Sequence, residues 1–538
     1  MPSSGRAGAS SSFDVIVIGG GINGAGIARD AALRGLRTLL LEARDFGSGT
    51  SSWSTRLIHG GLRYLEYGEL SLVRESLGER RRLRQHAPHL VRPIAMTIPV
   101  YRSARRGKLL IRLGMMAYDL LSMGKELPRH SMLSRKALIA ALPGINTAGL
   151  VGGARYFDAQ VTFAERLVIE NLLAAADAGA SLRNYAAVTR LETEADGSFR
   201  VRFDGAGAAV SATASVVVNA AGPWVDQVLS RAEQALAPLM GGTKGSHAVV
   251  GEFPGAPRHA VYVEAEADGR PVFVIPWNGQ YLIGTTDLRY DGDPGEARAS
   301  REEIDYLLGE TNRLFPDAGL GADELHFAYS GVRPLPRQEE GPESAITRRH
   351  IIHEHDGKAR GLISIIGGKL TTYRSLAEQT VDRIEKRLGR QPASCPTRDA
   401  ALPGARGCDR IAKTVTAFDG LSPAGRRRLA DVYGGRVSRL AELVADDDAH
   451  AQILDDDGTV LAGEVALAIR DEFAVTLTDI VYRRLMVGLS PRLGDRLVSS
   501  IARVAQRELG WDAATLEAQV VDLNRWNERL RRPRNVVS

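Results

Sequence analysis

A glycine-rich turn between a short apolar strand and a helix is the feature that most limits how this chain can fold. Residues 13–18 are mostly β-branched or apolar, and Gly19-x-Gly21-x-x-Gly24 follows at once. Gly19 permits the tight turn, Gly21 lets the backbone approach a pyrophosphate, and Gly24 lets helix and strand pack closely. Glu42 ends the next predicted strand and can accept hydrogen bonds from ribose hydroxyls. The sequence therefore predicts a βαβ unit that binds a dinucleotide.

The composition is that of a soluble globular chain with several domains. The 538 residues are 44% hydrophobic and 25% charged, which excludes a disordered or collagen-like chain. The two cysteines, Cys395 and Cys408, are too few for a disulfide framework or a thiolate metal site. The net charge of +5 is mild. We find no secretory signal and no apolar run long enough to cross a membrane.

A second strand–glycine–helix pattern lies far along the chain. An apolar strand is predicted over residues 362–366, and it runs through Gly367-Gly368 into a helix from about Thr371. A helix N-terminus at this place can stabilise the pyrimidine oxygens of a flavin, which gain negative charge on reduction. The pattern therefore favours FAD over NAD.

Seven sequence blocks occur in the order in which they are found in one family of flavoproteins. They are Thr50-Ser51-Ser52, His59 to Leu65, Asn219 to Trp224, Lys244 to His247, Ile283 to Asp287, Tyr329 to Pro334 and Gly367 to Tyr373. Together they resemble the FAD-dependent, quinone-reducing glycerol-3-phosphate dehydrogenases over residues 14 to about 380. The resemblance implies an α/β fold, α+β overall, of the glycine-oxidase and D-amino-acid-oxidase type.

The resemblance and the strand pattern together give a domain plan. After a disordered leader over 1–12, a discontinuous Rossmann-like FAD-binding domain and an antiparallel-sheet domain that faces substrate and membrane are expected, followed by a C-terminal helical domain. The FAD-binding domain takes residues 13–75, 150–240 and 360–394, the substrate domain 76–149 and 241–359, and the helical domain 400–538. Residues 93–149 are predicted to be irregular because prolines interrupt them.

The glycine turns and the family blocks predict which residues contact FAD. They are Gly19, Gly21, Ile22, Asn23, Gly24, Glu42, Thr50, Ser51, Ser52, Gly61, Leu62, Gly222, Gly367, Gly368, Leu370, Thr371 and Thr372. Residues 53–56 match the family less clearly, so no FAD contact is assigned to them.

Three cations and a histidine are the predicted catalytic residues. Arg63, Arg333 and Lys369 each follow a glycine-containing turn, and a dianionic phosphate needs two or three cations. His247 is of the residue type that acts as a base near neutral pH. The resemblance implies oxidation of sn-glycerol 3-phosphate to dihydroxyacetone phosphate, with hydride transfer from C2 to N5 of FAD. Either His247, or Arg333 through a water, takes the C2 hydroxyl proton, and a membrane quinone receives the electrons.

Other functions remain open at this point. A glycerol-3-phosphate oxidase that uses O₂ needs the same substrate residues, whereas an amine-oxidising flavoenzyme needs a carboxylate site rather than three cations. A flavoprotein that binds nucleic acid has only the arginines of residues 80–84, on a helix predicted over 71–92, in its favour. We therefore expect no nucleic acid partner. No metal site is predicted either, since His350 falls on the opposite strand face from His353 and His355.

The stretch 101–129 is the candidate for membrane contact. On a helix from Lys108 to about residue 123, Lys108, Arg112 and Asp119 form a narrow polar stripe, and most other positions are apolar. Such a helix with basic flanks suits the headgroup layer of a membrane, although a core helix has a similar pattern. The resemblance implies a cytoplasmic protein, peripheral on the inner face of the cell membrane. It leaves a homodimer open.

Overall fold

Strands and helices cover most of the chain. The computed structural model describes residues 11–65, 68–104, 106–122, 127–205, 209–338, 346–491 and 493–531. The strands are β1 (Ser11–Ile18), β2 (Thr38–Leu41), β3 (Leu57–Ile58), β4 (Val91–Tyr101), β5 (Ser131–Ser134), β6 (Leu150–Val161), β7 (Ser181–Arg183), β8 (Val188–Thr193), β9 (Phe199–Asp204), β10 (Ala209–Asn219), β11 (Thr243–Val250), β12 (Ala260–Glu264), β13 (Pro271–Trp277), β14 (Gln280–Gly284), β15 (Leu288–Arg289), β16 (Leu325–Arg333), β17 (Ile351–Glu354) and β18 (Leu362–Ile366).

The helices share the first two thirds of the chain with the strands and take over in the last third. They are α1 (Ile22–Leu33), α2 (Leu70–His86), α3 (Lys108–Leu121), α4 (Arg135–Ala141), α5 (Ala164–Asp177), α6 (Val225–Leu229), α7 (Arg301–Leu314), α8 (Tyr373–Arg387), α9 (Ile411–Thr416), α10 (Pro423–Tyr433), α11 (Val437–Asp446), α12 (Ala462–Arg470), α13 (Leu477–Asp479), α14 (Asp495–Leu509) and α15 (Ala513–Arg531).

The first sheet contains the predicted βαβ unit. Its strand order is β17-β18-β10-β1-β2-β7, and β9 and β8 extend it from β10. Strands β18, β10, β1, β2 and β7 run parallel. Val15, Ile16 and Val17 of β1 are fully buried, because α1, α5 and α8 cover one face of the sheet and β8 and β9 contribute to the core on the other. An all-apolar strand of this kind is typical of a parallel sheet covered on both faces.

The second sheet is mostly antiparallel and faces the first. Its strand order is β15-β11-β14-β13-β12-β4-β6-β3, with β16 paired to β11 and β5 paired to β6. Only β12 and β4, within the described strands, are a parallel pair in this sheet. Helix α7 covers the face that carries Ala248, Val274 and Ile283.

Three strands belong to a different sheet from the one that the predicted domain boundaries assign to them. Strands β3 and β6 belong to the second sheet, although residues 13–75 and 150–240 were predicted for FAD binding. Strand β17 belongs to the first sheet, because it pairs antiparallel with β18 from Ile351 opposite Ile366. Long-range pairing decided these assignments, and the local sequence does not encode it. Most of the predicted leader lies outside the described residues, and β1 already begins at Ser11.

The prediction that residues 93–149 are irregular was wrong. They contain most of β4, and also α3, β5 and α4. Pro93 and Pro99 lie opposite Ala159 and Gly153 of β6. Strand β4 tolerates them because β12, on its other side, pairs only with Met96 and Thr97 and needs no N–H from either proline. The basic helix predicted over 71–92 ends at His86, since β4 begins at Val91.

The last third of the described chain is helical, as predicted. Helices α9 to α15 enclose a core that includes Leu440, Val465, Ile480 and Ile501, all fully buried. Helix α13 continues directly into a π-helical turn, Ile480–Arg484. None of the described helices is both long and apolar enough to cross a membrane.

Candidate active site

A cavity of about 850 Å³ lies between the two sheets. Its floor is formed by the turns that follow β1, β10 and β18, at the carboxyl ends of parallel strands, where open α/β sheets bind their ligands. Most predicted cofactor residues line it, namely Gly19, Gly21, Ile22, Asn23, Glu42, Thr50, Ser51, Gly61, Leu62, Gly222, Gly367, Gly368, Leu370 and Thr371. The sequence motifs therefore meet at one place in the fold.

Three of the predicted cofactor residues do not line this cavity. Gly24 sits against the backbone of Gly19, where a Cβ atom would lie 1.9 Å from the carbonyl oxygen. This close packing of helix and turn is the task expected of that glycine. The Ser52 hydroxyl is buried and donates to the Gly47 carbonyl at 2.7 Å. Thr372 is the buried residue immediately before α8.

The first glycine turn leaves the N-terminus of α1 open toward the cavity. Gly19 has φ +108°, and a Cβ atom there would lie 2.6 Å from the Ala220 carbonyl oxygen, so only glycine fits. Gly21 precedes the helix and has no side chain to cap it, the Ser51 hydroxyl accepts the Ile22 N–H at 3.0 Å, and no acidic residue lies in the first turn. Unpaired N–H groups and the helix dipole together favour an anion at this position.

Glu42 is held beside this turn by its own backbone contacts. Its Oε2 accepts a hydrogen bond from the Gly20 N–H at 2.6 Å, and its Oε1 accepts one from the Arg44 N–H at 2.9 Å. Burial raises the pKa of the Glu42 carboxyl above its usual value, although both N–H groups oppose that shift. The carboxylate lines the cavity at the end of β2, which is the position expected for a ribose ligand.

Asn23 connects the two glycine turns. Its Nδ2 donates to the Gly367 carbonyl at 3.3 Å, while its Oδ1 is buried and meets no hydrogen-bond partner among the described residues. Gly367 and Gly368 have φ +78° and +101°. An open helix N-terminus, a ribose-binding carboxylate and a second glycine turn fit a dinucleotide that extends between these two turns.

His247 lies on β11, where the second sheet faces the cavity. Its Nε2 is 2.9 Å from Thr55 Oγ1, and its ring stacks on Tyr329 with 4.9 Å between centroids. Burial, followed by the charges of Arg333 and Arg56, lowers the pKa of His247 to about 3. The imidazole is therefore neutral at physiological pH and able to accept a proton.

Arg333 is partly buried near His247 and already has partners. It donates to Asp287 Oδ1 at 2.8 Å, and to the Thr285 hydroxyl and the Thr286 carbonyl at 3.1 Å each. Arg348, which the sequence prediction missed, donates to the other oxygen of Asp287 at 2.9 Å. The Asp287 carboxylate thus pairs with two guanidinium groups, and the three side chains together have a net charge of +1.

Lys369 is a cation whose hydrogen-bond donors are unused among the described residues. Its Nζ is buried, lies 3.8 Å from the centre of the Tyr64 ring, and has no hydrogen-bond partner within the described chain. Burial lowers the pKa of Lys369 to about 7. Arg63 lies in the short 3₁₀ helix Leu62–Leu65, but its side chain is outside what the structure describes, so its predicted role stays a prediction.

The segment that received no FAD contact from the sequence also faces the cavity. Trp53, Thr55 and Arg56 line it, and Thr55 is the hydrogen-bond partner of His247. Tyr64 belongs to the sequence block His59 to Leu65, from which only Gly61, Leu62 and Arg63 were predicted as site residues. The block could therefore have identified Tyr64, whereas no local sequence pattern indicated Thr55.

A row of side chains crosses the second sheet from His247 toward α3. His247 pairs with Gly284, where a Cβ atom would lie 2.2 Å from the imidazole. Phe273 follows on β13 and Tyr262 on β12, with 5.2 Å between their ring centroids. Tyr156 lies on β6, which β4 separates from β12, and lines the same cavity. We call His247, Gly284, Phe273, Tyr262 and Tyr156 the aromatic row.

The loop at Gly60 is tied to α3 by a buried hydroxyl. Tyr118 of α3 lies edge-on to Tyr156 at 5.8 Å and donates to Asp158 at 2.9 Å. The same hydroxyl oxygen accepts a hydrogen bond from the Gly60 N–H at 3.0 Å. Met115 and Tyr118 are the buried side chains of α3.

Comparisons with known proteins identify similar chains. Residues 14–374 match a family described as FAD dependent oxidoreductase, and residues 395–516 match the C-terminal domain of alpha-glycerophosphate oxidase. A glycerol-3-phosphate dehydrogenase from Synechocystis is 44% identical over 534 residues, 96% of each chain.

Two solved structures extend the comparison. The glycerol-3-phosphate dehydrogenase from Bacillus halodurans, complexed with FAD, has a TM-score of 0.80 at 28% identity and covers 98% of this chain and 97% of its own. Glycine oxidase from Geobacillus kaustophilus has a TM-score of 0.53 at 22% identity over 73% of this chain and 99% of its own. The predicted fold, including its C-terminal helical domain, is confirmed.

Proposed function

We propose, because this chain belongs to the FAD-dependent glycerol-3-phosphate dehydrogenases, that it oxidises sn-glycerol 3-phosphate to dihydroxyacetone phosphate and reduces a membrane quinone. The prediction of FAD as cofactor is confirmed by the family match over residues 14–374. FAD, when bound, supplies the acceptor for the hydride from C2. The observation that supports this substrate most directly is the set of cations, Arg333, Arg348 and Lys369, beside a neutral histidine in one cavity.

The cations suit a phosphate ester better than an amino acid. Lys369 has unused hydrogen-bond donors, and Arg333 and Arg348 share a single carboxylate. A phosphate dianion takes two or three such donors, whereas the carboxylate of an amino acid is satisfied by one guanidinium. The three side chains would hold the phosphate and place C2 near His247.

His247 is the residue we assign to the C2 hydroxyl proton. Its Nδ1 is buried without a hydrogen-bond partner among the described residues, while Thr55 occupies Nε2. A base must be unprotonated before it acts, and the lowered pKa keeps His247 unprotonated, while the same low pKa makes its imidazole a weak base. Arg333 lies close enough to stabilise a developing alkoxide by its charge.

The first experiment is anaerobic mixing of the purified flavoprotein with sn-glycerol 3-phosphate. We expect the flavin absorbance near about 450 nm to bleach, with one dihydroxyacetone phosphate formed per flavin. Glycerol and sn-glycerol 1-phosphate are the controls, since one lacks the phosphate and the other has the opposite configuration. Absence of bleaching in a protein that contains FAD would refute the proposed reaction.

Helix α3 supports the membrane part of the proposal. Leu109 and Leu120 are 71% and 68% exposed, and Leu110, Leu113 and Met116 are more than half exposed. An apolar face of this kind with lysine and arginine beside it suits the boundary between headgroups and acyl chains. We propose that α3 places the protein on the inner face of the cell membrane.

The aromatic row supports a quinone as electron acceptor. It extends from His247 to Tyr156, against which Tyr118 of α3 packs, so the cavity has an aromatic wall on the side of α3. A flat, apolar ring packs well on such a wall. Oxygen as acceptor is the second candidate, favoured by the match of residues 395–516 to an oxidase domain.

The acceptor and the membrane contact can be tested together with a double variant. Leu109→Asp with Leu113→Asp should abolish sedimentation with anionic vesicles and slow quinone reduction in them, while reduction of water-soluble ferricyanide stays unchanged. Val521→Asp is the matched control, because Val521 is also exposed but lies on α15. Peroxide formed at the rate of substrate oxidation would favour the oxidase instead, and unchanged vesicle binding would refute the role of α3.

A further inference from the structure

The segment from Glu42 to Ser51 forms one wall of the cofactor cavity, and it has little regular structure. Glu42, Arg44, Ser48, Thr50 and Ser51 of this segment line the cavity. Its shape depends on a few hydrogen bonds, such as the Gly47 N–H to the Gly20 carbonyl at 3.0 Å. We call residues 42–51 the cofactor loop.

Asp45 lies at the centre of this loop but does not line the cavity. Its side chain is buried, Asn184 donates to its Oδ1 at 3.3 Å, and its charged partners come from the C-terminal domain. Arg484 donates to both carboxylate oxygens, through Nη2 to Oδ1 at 2.8 Å and through Nη1 to Oδ2 at 2.9 Å. Arg483 donates to Oδ2 through Nε. Burial would raise the pKa of Asp45, but the two arginines outweigh it and lower the pKa to about 2.

Both arginines are themselves fixed by further contacts. Arg483 donates to Asp479 at 2.6 Å, and Arg484 donates to the Glu472 carbonyl oxygen at 2.6 Å. They are adjacent in the π-helical turn, a helical form that is rare and is frequently found at functional sites. This turn directs two adjacent side chains at one carboxylate of another domain.

Phe473 adds an apolar contact between the same two domains. Its ring meets the edge of Phe46, the residue after Asp45, with 5.7 Å between centroids. Phe46 in turn fills the space beside Gly20, where a Cβ atom would lie 2.6 Å from the Phe46 ring. Phe473 has φ +62°, which costs free energy in a residue with a side chain, and the Asn184 amide holds its carbonyl oxygen at 2.8 Å.

We infer that Arg483 and Arg484 are positioning residues for FAD. Through Asp45 they hold the cofactor loop in the shape that places Glu42 and Ser51 against the cofactor, although neither arginine lines the cavity. The C-terminal helical domain thereby contributes to cofactor affinity. This inference requires only that the chain binds FAD and holds for either electron acceptor.

The test measures the FAD dissociation constant of the full-length protein by flavin fluorescence. Arg484→Met keeps the length of the side chain and removes both hydrogen bonds to Asp45. We expect the dissociation constant to rise about ten- to a hundredfold, the range for losing charge-assisted hydrogen bonds to a buried carboxylate. With FAD at saturation, KM for sn-glycerol 3-phosphate and kcat should stay within about threefold of wild type.

Arg428→Met is the matched control. Arg428 pairs with the buried Glu464 inside the C-terminal domain and donates to the Leu485 carbonyl, next to Arg484, at 2.9 Å. It has no hydrogen bond or ion pair with the described residues of the cofactor loop, so it controls for disturbance of the turn itself. It should lower thermal stability without changing FAD affinity. If Arg428→Met raises the dissociation constant as much as Arg484→Met, or if neither raises it, the inference is wrong.

A second measurement applies even where Arg484→Met does not fold. In wild-type protein, added FAD should slow amide hydrogen exchange across residues 480–487, which do not line the cavity, because binding and positioning are coupled in both directions. Asp45→Asn, which keeps the size of the side chain, should weaken FAD binding and diminish this protection. Exchange that is the same with and without FAD would overturn the coupling.

Discussion

Replacing Arg333 by alanine tests how the substrate phosphate is recognised. Arg333, Arg348 and Asp287 form one group in which the carboxylate is shared by both guanidinium groups. Removing Arg333 leaves Asp287 paired with Arg348 alone, so the net charge of the group falls from +1 to zero. The substrate then loses one donor and also faces a carboxylate that only one arginine neutralises.

The expected loss follows from this arrangement. A charge-assisted hydrogen bond to a partly desolvated phosphate is worth about 2–3 kcal/mol, or roughly 30- to 150-fold in kcat/KM. Adding Asp287→Asn to Arg333→Ala restores the net charge of +1. The double variant should therefore recover part of the loss in kcat/KM. If only the number of removed contacts mattered, the second substitution would give no recovery.

The assay compares sn-glycerol 3-phosphate with glycerol, using the rate of anaerobic flavin bleaching at several concentrations. Arg333→Ala should keep its FAD, since the glycine turns and Glu42 bind the dinucleotide. Glycerol, which has no phosphate, should lose less than about fivefold. Equal losses for both substrates would show that Arg333 does not bind the phosphate. A double variant that is slower than Arg333→Ala would contradict the charge argument.

Three further changes test other parts of the site. His247→Gln should lower kcat about 10²- to 10⁴-fold with FAD retained. The plots of kcat against pH for wild type and His247→Gln should not differ by an ionisation near pH 6.5, since the pKa of His247 is about 3. Lys369, with a pKa of about 7 in the free enzyme, should give a fall in kcat/KM as pH rises above 7, because the cation is lost, and Lys369→Met should remove that limb. Asp45 and Glu472, each with a pKa of about 2 in the folded protein, stabilise it above about pH 4. The denaturation midpoint should therefore fall as pH drops from about 4 toward 2, less steeply in Asp45→Asn; an identical fall would refute this role of Asp45.

The parts of the fold that were predictable are those with short-range physical signals. The β1–turn–α1–β2 unit and the turn at Gly367-Gly368 depend on glycine conformation and on apolar runs, both of which are visible in a short window of sequence. The assignment of β3, β6 and β17 to sheets was not visible, because it depends on partners distant in the chain. Strand β4 was missed because prolines usually break strands, and here both prolines pair in register with β6 and lie outside the stretch that pairs with β12.

The candidate site divides in the same way. His247, Arg333 and Lys369 were predicted from their sequence blocks, and the structure brings them to one cavity. The carboxylate that joins Arg333 to Arg348 was not predicted, since a list of cations does not show which of them share a counter-ion. The contacts of Asp45 are still harder to predict from the sequence, because Arg484 follows Asp45 by more than four hundred residues.

The strand order of the first sheet also affects how the protein folds while it is being synthesised. Central strand β1 (Ser11–Ile18) has β10 (Ala209–Asn219) as a neighbour, and β18 (Leu362–Ile366) lies beyond β10. At roughly 5–20 residues per second, a ribosome needs about nine to thirty-six seconds to pass from the end of β2 to the end of β10. During that interval the apolar β1 strand has left the ribosome without its full set of partners. A growing chain therefore depends on protection of this strand from aggregation, and a chain whose synthesis stops before β18 lacks part of the cofactor site.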